Sequence, residues 1–346
     1  MTEGNGNKIY EQKKYFALAL DPIYVGTGGY RIGRVDNTIV REPATGIPKI
    51  PGTTIEGVCR SYAFLRAMEN GENLKPECAK GKTKDEKEPC GNCKICITFG
   101  YTTKTKSLQA MASFSDARIL LFPVATMVGP VWVTCPMVLK DAGIKEINNG
   151  SEKEIQEPSE DKFIIPENSI IKPPENKLNF GWLLLNQDNN EKKTNVDHWM
   201  YEENSHSQPL KDCGINEDIL KRIVIVSNTL FSQIVNSNLE VRTSVSIDPE
   251  RGAAEEGALF TYEAIPRGAV LWFDVIFQNP KYFPALRDIQ IKTWNGDKKK
   301  PDIELLKETV EKGLSLFEYL GVGGMGSRGF GRLRILKLGG DANGSN

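Results

Sequence analysis

Histidine is what this chain has least of. Only two occur in 346 residues, His198 and His206, and both fall in one polar stretch. A nuclease that shuttles protons between histidines, or a hydrolase built on a nucleophile–histidine–acid triad, has little to work with here. An excess of positive charge is also missing. The formal net charge is −1, so a nucleic-acid binder must concentrate its basic residues locally. Nowhere do eighteen apolar residues run together, and the N-terminus is polar, so neither a membrane span nor a secretory leader is expected. The Gly26-Thr27-Gly28-Gly29 loop fits neither the dinucleotide fingerprint nor a P-loop with its Lys-Ser/Thr, which disfavours nucleotide-cofactor chemistry. Seven cysteines, an odd number with four clustered, fit metal binding in a reducing compartment better than a disulfide framework, and the expected location is cytoplasmic.

What is present is an ordinary globular composition, 39% hydrophobic and 26% charged, with enough apolar material for a core. Residues 14–20 read as a central strand, apolar on both faces. A loop carrying Arg31, Arg34, Asp36 and Arg41 follows. A helix then opens at Pro51-Gly52-Thr53-Thr54, with a threonine as cap, Glu56 as capping-box acid, and Ile55, Val58, Cys59, Tyr62 and Leu65 at helical spacing. Residues 117–122 and 131–134 form a hairpin around Gly129-Pro130. The stretch 144–215, rich in Asn, Glu, Lys and Pro with one apolar run at 182–185, reads as a surface insertion, partly ordered at best. A strand at 222–227 leads into a helix capped by Asn228. A long extended arm runs over 239–264, with a turn at 248–252. A buried strand (269–277), a last helix (Ile303 to Phe317), a glycine loop and a final strand complete the order. Antiparallel strands mixed with a few helices predict an α+β fold of the ferredoxin-like, RRM-like split βαβ kind. Residues 14–143 and 216–338 would form its single core, with 1–13 and 339–346 as flexible tails.

Three constellations carry chemistry. Cys78, Cys90, Cys93 and Cys96 stand at C-x11-C-x2-C-x2-C, with four lysines between the first two. Four thiolates close a tetrahedral zinc site, and a closed site is structural. The loop at 321–331 holds six glycines in eleven residues, with Arg328 inside it and Arg332 and Arg334 just after. It is either a glycine-rich turn with solvated arginines or a backbone cradle for an anion. Asp36, flanked by arginines, is either a turn aspartate bonded to nearby amides or a carboxylate that holds a divalent cation or a ribose 2′-hydroxyl.

Several segments in order resemble the backbone subunits of type III CRISPR effector complexes, in the RAMP superfamily. They are GVGGMGSRGFGRLRI at 321–335, DARILLFPVATMVGPVWVTCPMVL at 116–139, TGIPKIPGTTIEGVCR at 45–60 and IDPERGAAEEGALFTYEAIPRGAVL at 247–271. The likeness is strongest to the fourth subunit of the Cmr complex. The clustered cysteines followed by Phe99-Gly100 lean towards the third subunit of the Csm complex.

The resemblance implies a protein that polymerises along a CRISPR RNA beside other effector subunits and further copies of itself, with a thumb-like hairpin at about 239–264. It implies that Asp36, with Mg2+ or Mn2+, promotes cleavage of the paired target RNA through 2′-hydroxyl attack. Arg31, Arg34, Arg60, Gly323, Gly324, Arg328 and Arg332 are the implied RNA contacts, and base pairing would read the sequence. Two other roles stay open: a non-catalytic scaffold subunit, or a stand-alone processing nuclease. The chain departs from the family in three places. Tyr24 stands where a first-loop histidine is common, Glu56 stands where a lysine is usual, and 144–215 has no obvious counterpart.

Overall fold

The first strand, β1 (Tyr10–Ala19), is buried on both faces through Tyr15, Phe16, Ala17 and Ala19, as a strand inside a sheet must be. The protein is described by a computed structural model over residues 8–28, 35–81, 87–148, 150–188, 194–203, 206–248 and 250–338, without the side chains of 254–258. Along the chain after β1 come α1 (Gly52–Glu69), α2 (Lys94–Phe99), β2 (Ala117–Thr126), β3 (Gly129–Thr134), β4 (Lys162–Ile164), β5 (Lys177–Phe180), β6 (Leu183–Gln187) and β7 (Ile223–Val226). Then follow α3 (Asn228–Ser237), β8 (Glu240–Asp248), β9 (Ala253–Ala264), β10 (Val270–Gln278), α4 (Ile303–Leu314) and β11 (Leu333–Ile335).

The large sheet has the order β5-β6-β4-β7-β3-β2-β10-β1-β11. At its β11 end, β1 lies between β10 and β11, and β10 lies between β1 and β2, all antiparallel. Helix α1 joins β1 to β2, and α4 joins β10 to β11. The two helices approach closely. A Cβ on Gly313 would stand 2.4 Å from the Cys59 carbonyl oxygen, and the Cys59 thiol donates to the Val310 carbonyl at 3.3 Å. Beyond β2 the sheet continues through parallel β3–β7 and β4–β6 pairs, so it is mixed. Strands β8 and β9 stand apart as a two-stranded antiparallel hairpin over the 239–264 segment.

Three expectations change. Strand β1 begins at Tyr10, inside the expected tail, because Tyr10–Lys14 pair with Asp274–Gln278. No side chain of its own caps α1. Its Gly52 N–H donates instead to Asp116 Oδ1 at 2.7 Å, and Asp116 Oδ2 also takes the Lys49 ammonium at 2.6 Å. The cap comes from 64 residues away, so no local capping box can show it. Likewise Ser227, not Asn228, caps α3 by accepting from Leu230 N–H.

The third change concerns residues 144–215, which are well structured where described. They supply β4, β5 and β6 to the large sheet and a separate four-stranded sheet from Ile144–Asn148, Ser151–Lys153, Trp199–Glu203 and His206–Pro209. Their core residues, among them Phe163, Phe180, Trp199 and Leu210, are buried, but they sit in apolar stretches of only one to three residues inside a polar segment. Hence no apolar run announces them. The one run that does stand out is split by the strand, with Trp182 80% and Leu184 56% exposed while Leu185 is buried.

Replacing Asp116 with alanine removes both the α1 cap and the Lys49 partner, so denaturant unfolding should show a loss of about 1–2 kcal/mol. Asp116→Asn, which keeps the acceptor, should recover most of it.

Candidate functional site

Three chain segments meet beyond the C-terminal end of β1. The segment after β1 runs between the base of the β8–β9 hairpin and the glycine loop. On one side Ile23 exchanges both backbone hydrogen bonds with Ile265, at 2.8 and 3.0 Å. On the other, the Tyr24 carbonyl accepts from Gly324 N–H at 2.8 Å and the Pro22 carbonyl from Gly331 N–H at 2.9 Å. Gly323 has φ +85°, and a Cβ there would lie 2.4 Å from the Tyr24 carbonyl oxygen; at Gly331, φ +99°, it would lie 2.7 Å from the Val322 oxygen. These two glycines are required by close backbone approach.

The outer face of the glycine loop, from Gly323 to Gly329 apart from the half-buried Met325, is exposed. Beneath it Tyr24, Tyr262 and Phe330 pack edge to face, with ring centroids 5.7–6.5 Å apart, and Phe260 joins Tyr262 at 5.1 Å. Burial, with Tyr262 and Glu263 nearby, pushes the Tyr24 phenol above its ordinary value. Basic side chains surround this aromatic floor. Arg328 donates to the Tyr262 hydroxyl at 3.2 Å, and the Arg242 guanidinium lies 4.8 Å from the Phe330 ring centroid. Arg332 forms a two-pronged pair with Asp21 at 2.5 and 3.1 Å; that hydrogen-bonded arginine holds the Asp21 carboxyl below its usual range. Any phosphate contact by Arg332 therefore shares the guanidinium with Asp21.

Asp36 lies in the next turn of the first loop, against the hairpin. Its Oδ2 accepts from Thr261 N–H at 2.8 Å and from Thr261 Oγ1 at 2.9 Å, and these bonds hold its carboxyl below the ordinary range. Further along, Arg41 grips Glu263 with two parallel bonds, at 2.5 and 2.8 Å, and Glu263 Oε1 also accepts from Ile39 N–H at 2.9 Å. Arg31 and Arg34 lie outside the described residues. Thr261, Tyr262, Glu263, Arg242 and Phe330 were not legible as site residues. In sequence they are unremarkable members of an alternating strand or a glycine loop.

The cysteines form a second centre. Cys78 Sγ accepts from Cys90 N–H and Cys93 Sγ from Cys96 N–H, both at 3.4 Å. Cys90 and Cys96 sulfurs are 4.0 Å apart, and all four lie within 4.8 Å of one another. Tetrahedral thiolate zinc, with bonds of about 2.3 Å, places its sulfurs about 3.8 Å apart, so the donor set and spacing suit a metal ion. Lys94, in α2, is buried against Glu72 and lies 4.0 Å from the Trp294 ring centroid, which pins the segment to the core.

Arg60 belongs to this second centre rather than to an exposed phosphate surface. Its side chain is buried, with Nε on the Cys78 carbonyl at 2.9 Å and Nη1 on the Phe99 carbonyl at 3.1 Å, while Nη2 has no hydrogen-bond partner among the described residues. The expected outward contact is thus replaced by inward ones. Two residues on, the Tyr62 hydroxyl donates to the Gly321 carbonyl at 2.8 Å, so α1 touches both centres.

The RAMP superfamily profile matches residues 17–334. The chain belongs to the RAMP superfamily. It is 28% identical over 325 residues to the CRISPR system Cmr endoribonuclease Cmr4 of Pyrococcus furiosus, covering 91% of this chain and 92% of that protein. Over 87 residues it is 34% identical to the CRISPR system Cms endoribonuclease Csm3 of Methanothermobacter thermautotrophicus, covering 25% of this chain and 30% of that protein. Its fold is similar to the crystal structure of oligomeric Cmr4 from Pyrococcus furiosus, with TM-score 0.56 at 22% identity, covering 95% of this chain and 100% of that one. It is also similar to a chain of the type III-B Cmr-beta complex bound to cognate target RNA, with TM-score 0.57 at 14% identity, covering 95% and 98%. The likeness to RAMP backbone subunits read from the sequence is borne out. Among the described residues, no helix is long and apolar enough to cross a membrane.

Gly323→Ala adds a methyl where the Tyr24 carbonyl leaves no space, in a backbone region that alanine avoids. Thermal unfolding should show a destabilisation of about 1–3 kcal/mol, whereas Gly57→Ala, facing open space within α1, should cost nothing.

Proposed function

We propose that this protein is a guide-RNA-binding backbone subunit of a type III CRISPR ribonucleoprotein. It assembles with other copies of itself and with other effector subunits along the CRISPR RNA, without a membrane, and cleaves complementary target RNA at regular intervals. The observation that carries this reading is the junction of three parts: an exposed glycine loop, a free-standing β8–β9 hairpin, and Asp36 bonded to that hairpin's base. The order β2-β10-β1-β11, with α1 and α4 as the connections, supports a ferredoxin-like core of two interlocked split βαβ units. The hairpin serves as its thumb.

Gly323, Gly324, Arg328 and Arg332, together with Arg31 and Arg34, would hold the RNA backbone. The exposed glycine loop and its arginines suit a polyanion in a protein whose net charge is −1. The target ribose 2′-hydroxyl would attack the adjacent phosphorus. Its proton would pass to water as the new P–O2′ bond forms and the P–O5′ bond breaks, and the leaving 5′-oxygen would take one from water, giving a cyclic phosphate and a 5′-hydroxyl. A divalent ion such as Mg2+ or Mn2+, held by Asp36, would supply charge stabilisation at the scissile phosphate. The Thr261 bonds hold the Asp36 carboxyl below its ordinary value, so the carboxylate and this role persist at neutral pH and are lost as acid protonates it.

A scaffold without cleavage has one observation in its favour: Oδ2 of Asp36 is already occupied by Thr261, as in a purely structural aspartate. Asp36→Ala in the assembled complex separates the two readings. Loss of target cleavage by at least a hundredfold, with guide binding unchanged, is expected; undiminished cleavage at the same spacing would make the subunit a scaffold.

Cys78, Cys90, Cys93 and Cys96 would hold one structural Zn2+, with Arg60 beside it as a buried counter-charge to the thiolates. Metal analysis of the purified chain should give about one zinc per chain. Arg60→Met should release that zinc faster to a chelator while leaving affinity for guide RNA unchanged.

A further inference from the structure

The contact between Asp36 and Thr261 spans 225 residues of sequence and is reciprocal. The threonine hydroxyl accepts from Asp36 N–H at 3.0 Å and donates to Asp36 Oδ2 at 2.9 Å, while Thr261 N–H donates to the same oxygen at 2.8 Å. Three bonds therefore fix both the backbone and the carboxylate of one residue against one other. Among the described residues, every hydrogen bond to this carboxylate goes to Oδ2, and Oδ1 takes none. The carboxylate is turned with one oxygen anchored to protein and the other available to a ligand. The frame behind it is rigid on both sides. Asn37 N–H donates to the Thr261 carbonyl at 3.0 Å, Glu263 N–H donates to the Asn37 carbonyl at 3.1 Å, and Arg41 is clamped on Glu263.

We infer that Thr261 is the positioning residue for Asp36, using its hydroxyl as acceptor and donor at once to aim Oδ1 at the bound cation or ribose. This rests on the reading of Asp36 as the cleavage carboxylate. A valine is the same shape and keeps the strand, but it neither accepts from Asp36 N–H nor donates to Oδ2. A serine does both. Because Thr261 belongs to β9, the carboxylate follows the hairpin and not the glycine loop.

The test uses the reconstituted complex with guide RNA, measuring target affinity and single-turnover cleavage across a Mn2+ titration for Thr261→Val, Thr261→Ser and Asp36→Ala. Thr261→Val should bind target as wild type, cleave about tenfold more slowly and need more Mn2+ for half-maximal rate. Thr261→Ser should restore both rate and Mn2+ dependence. Adding Thr261→Val to Asp36→Ala should change nothing further, because the residue it positions is gone. Wild-type cleavage by Thr261→Val, with Asp36→Ala inactive, overturns the positioning role and leaves the proposed function intact. A serine variant as slow as the valine one also overturns it, since only packing would then be at stake. Full activity of Asp36→Ala removes the proposed cleavage role and this inference together.

Discussion

Backbone packed on backbone beyond the end of β1 is the contact on which the rest of the site depends. The segment from Pro22 to Val25 has the hairpin base on one side and the glycine loop on the other, bonded to each through main-chain groups. On the glycine-loop side, a side chain at Gly323 would hold the segments apart. With Gly323 and Gly331 facing carbonyl oxygens, the segments close to hydrogen-bonding distance, and the aromatic side chains that do exist there, Tyr24, Tyr262 and Phe330, fill the space beneath. Glycine here costs entropy in the unfolded chain and is retained because nothing larger fits.

Helix α1 carries this arrangement to the cysteine cluster. Arg60 reaches the Cys78 and Phe99 carbonyls, Tyr62 reaches Gly321, and Asp116 fixes the first turn. A bound metal would thus be more than a local staple. By holding the carbonyls that Arg60 binds, it would hold the rotation of α1, and with it the start of the glycine loop. The buried guanidinium, with one nitrogen unpartnered among the described residues, would offset the excess negative charge of four thiolates around a metal ion.

The expected parts of the core fell where short-range pattern placed them. The central strand and the paired strands around Gly129 are short apolar runs, and the long helices carry a 3.6-residue repeat, signals that survive without knowledge of the fold. Residues 144–215 failed by the same logic. Phe163, Phe180 and Trp199 lie in very short apolar stretches, and Phe163 is buried through its pairing with β7 and its contact with Phe180. Composition reported the polar majority and missed the buried minority.

The sequence by itself determined the chemistry available: four thiolates at ligand spacing, a glycine-rich turn beside arginines, one carboxylate in an arginine-flanked loop, and almost no histidine. Tertiary structure alone decided how those groups are used. Arg60 turned inward because α1 lies against the cysteine segment, and Asp36 acquired Thr261 because the hairpin base crosses the first loop. Both are contacts between residues distant in the chain, and side-chain direction at such a crossing is set by the neighbouring element. Local spacing carries no record of that neighbour.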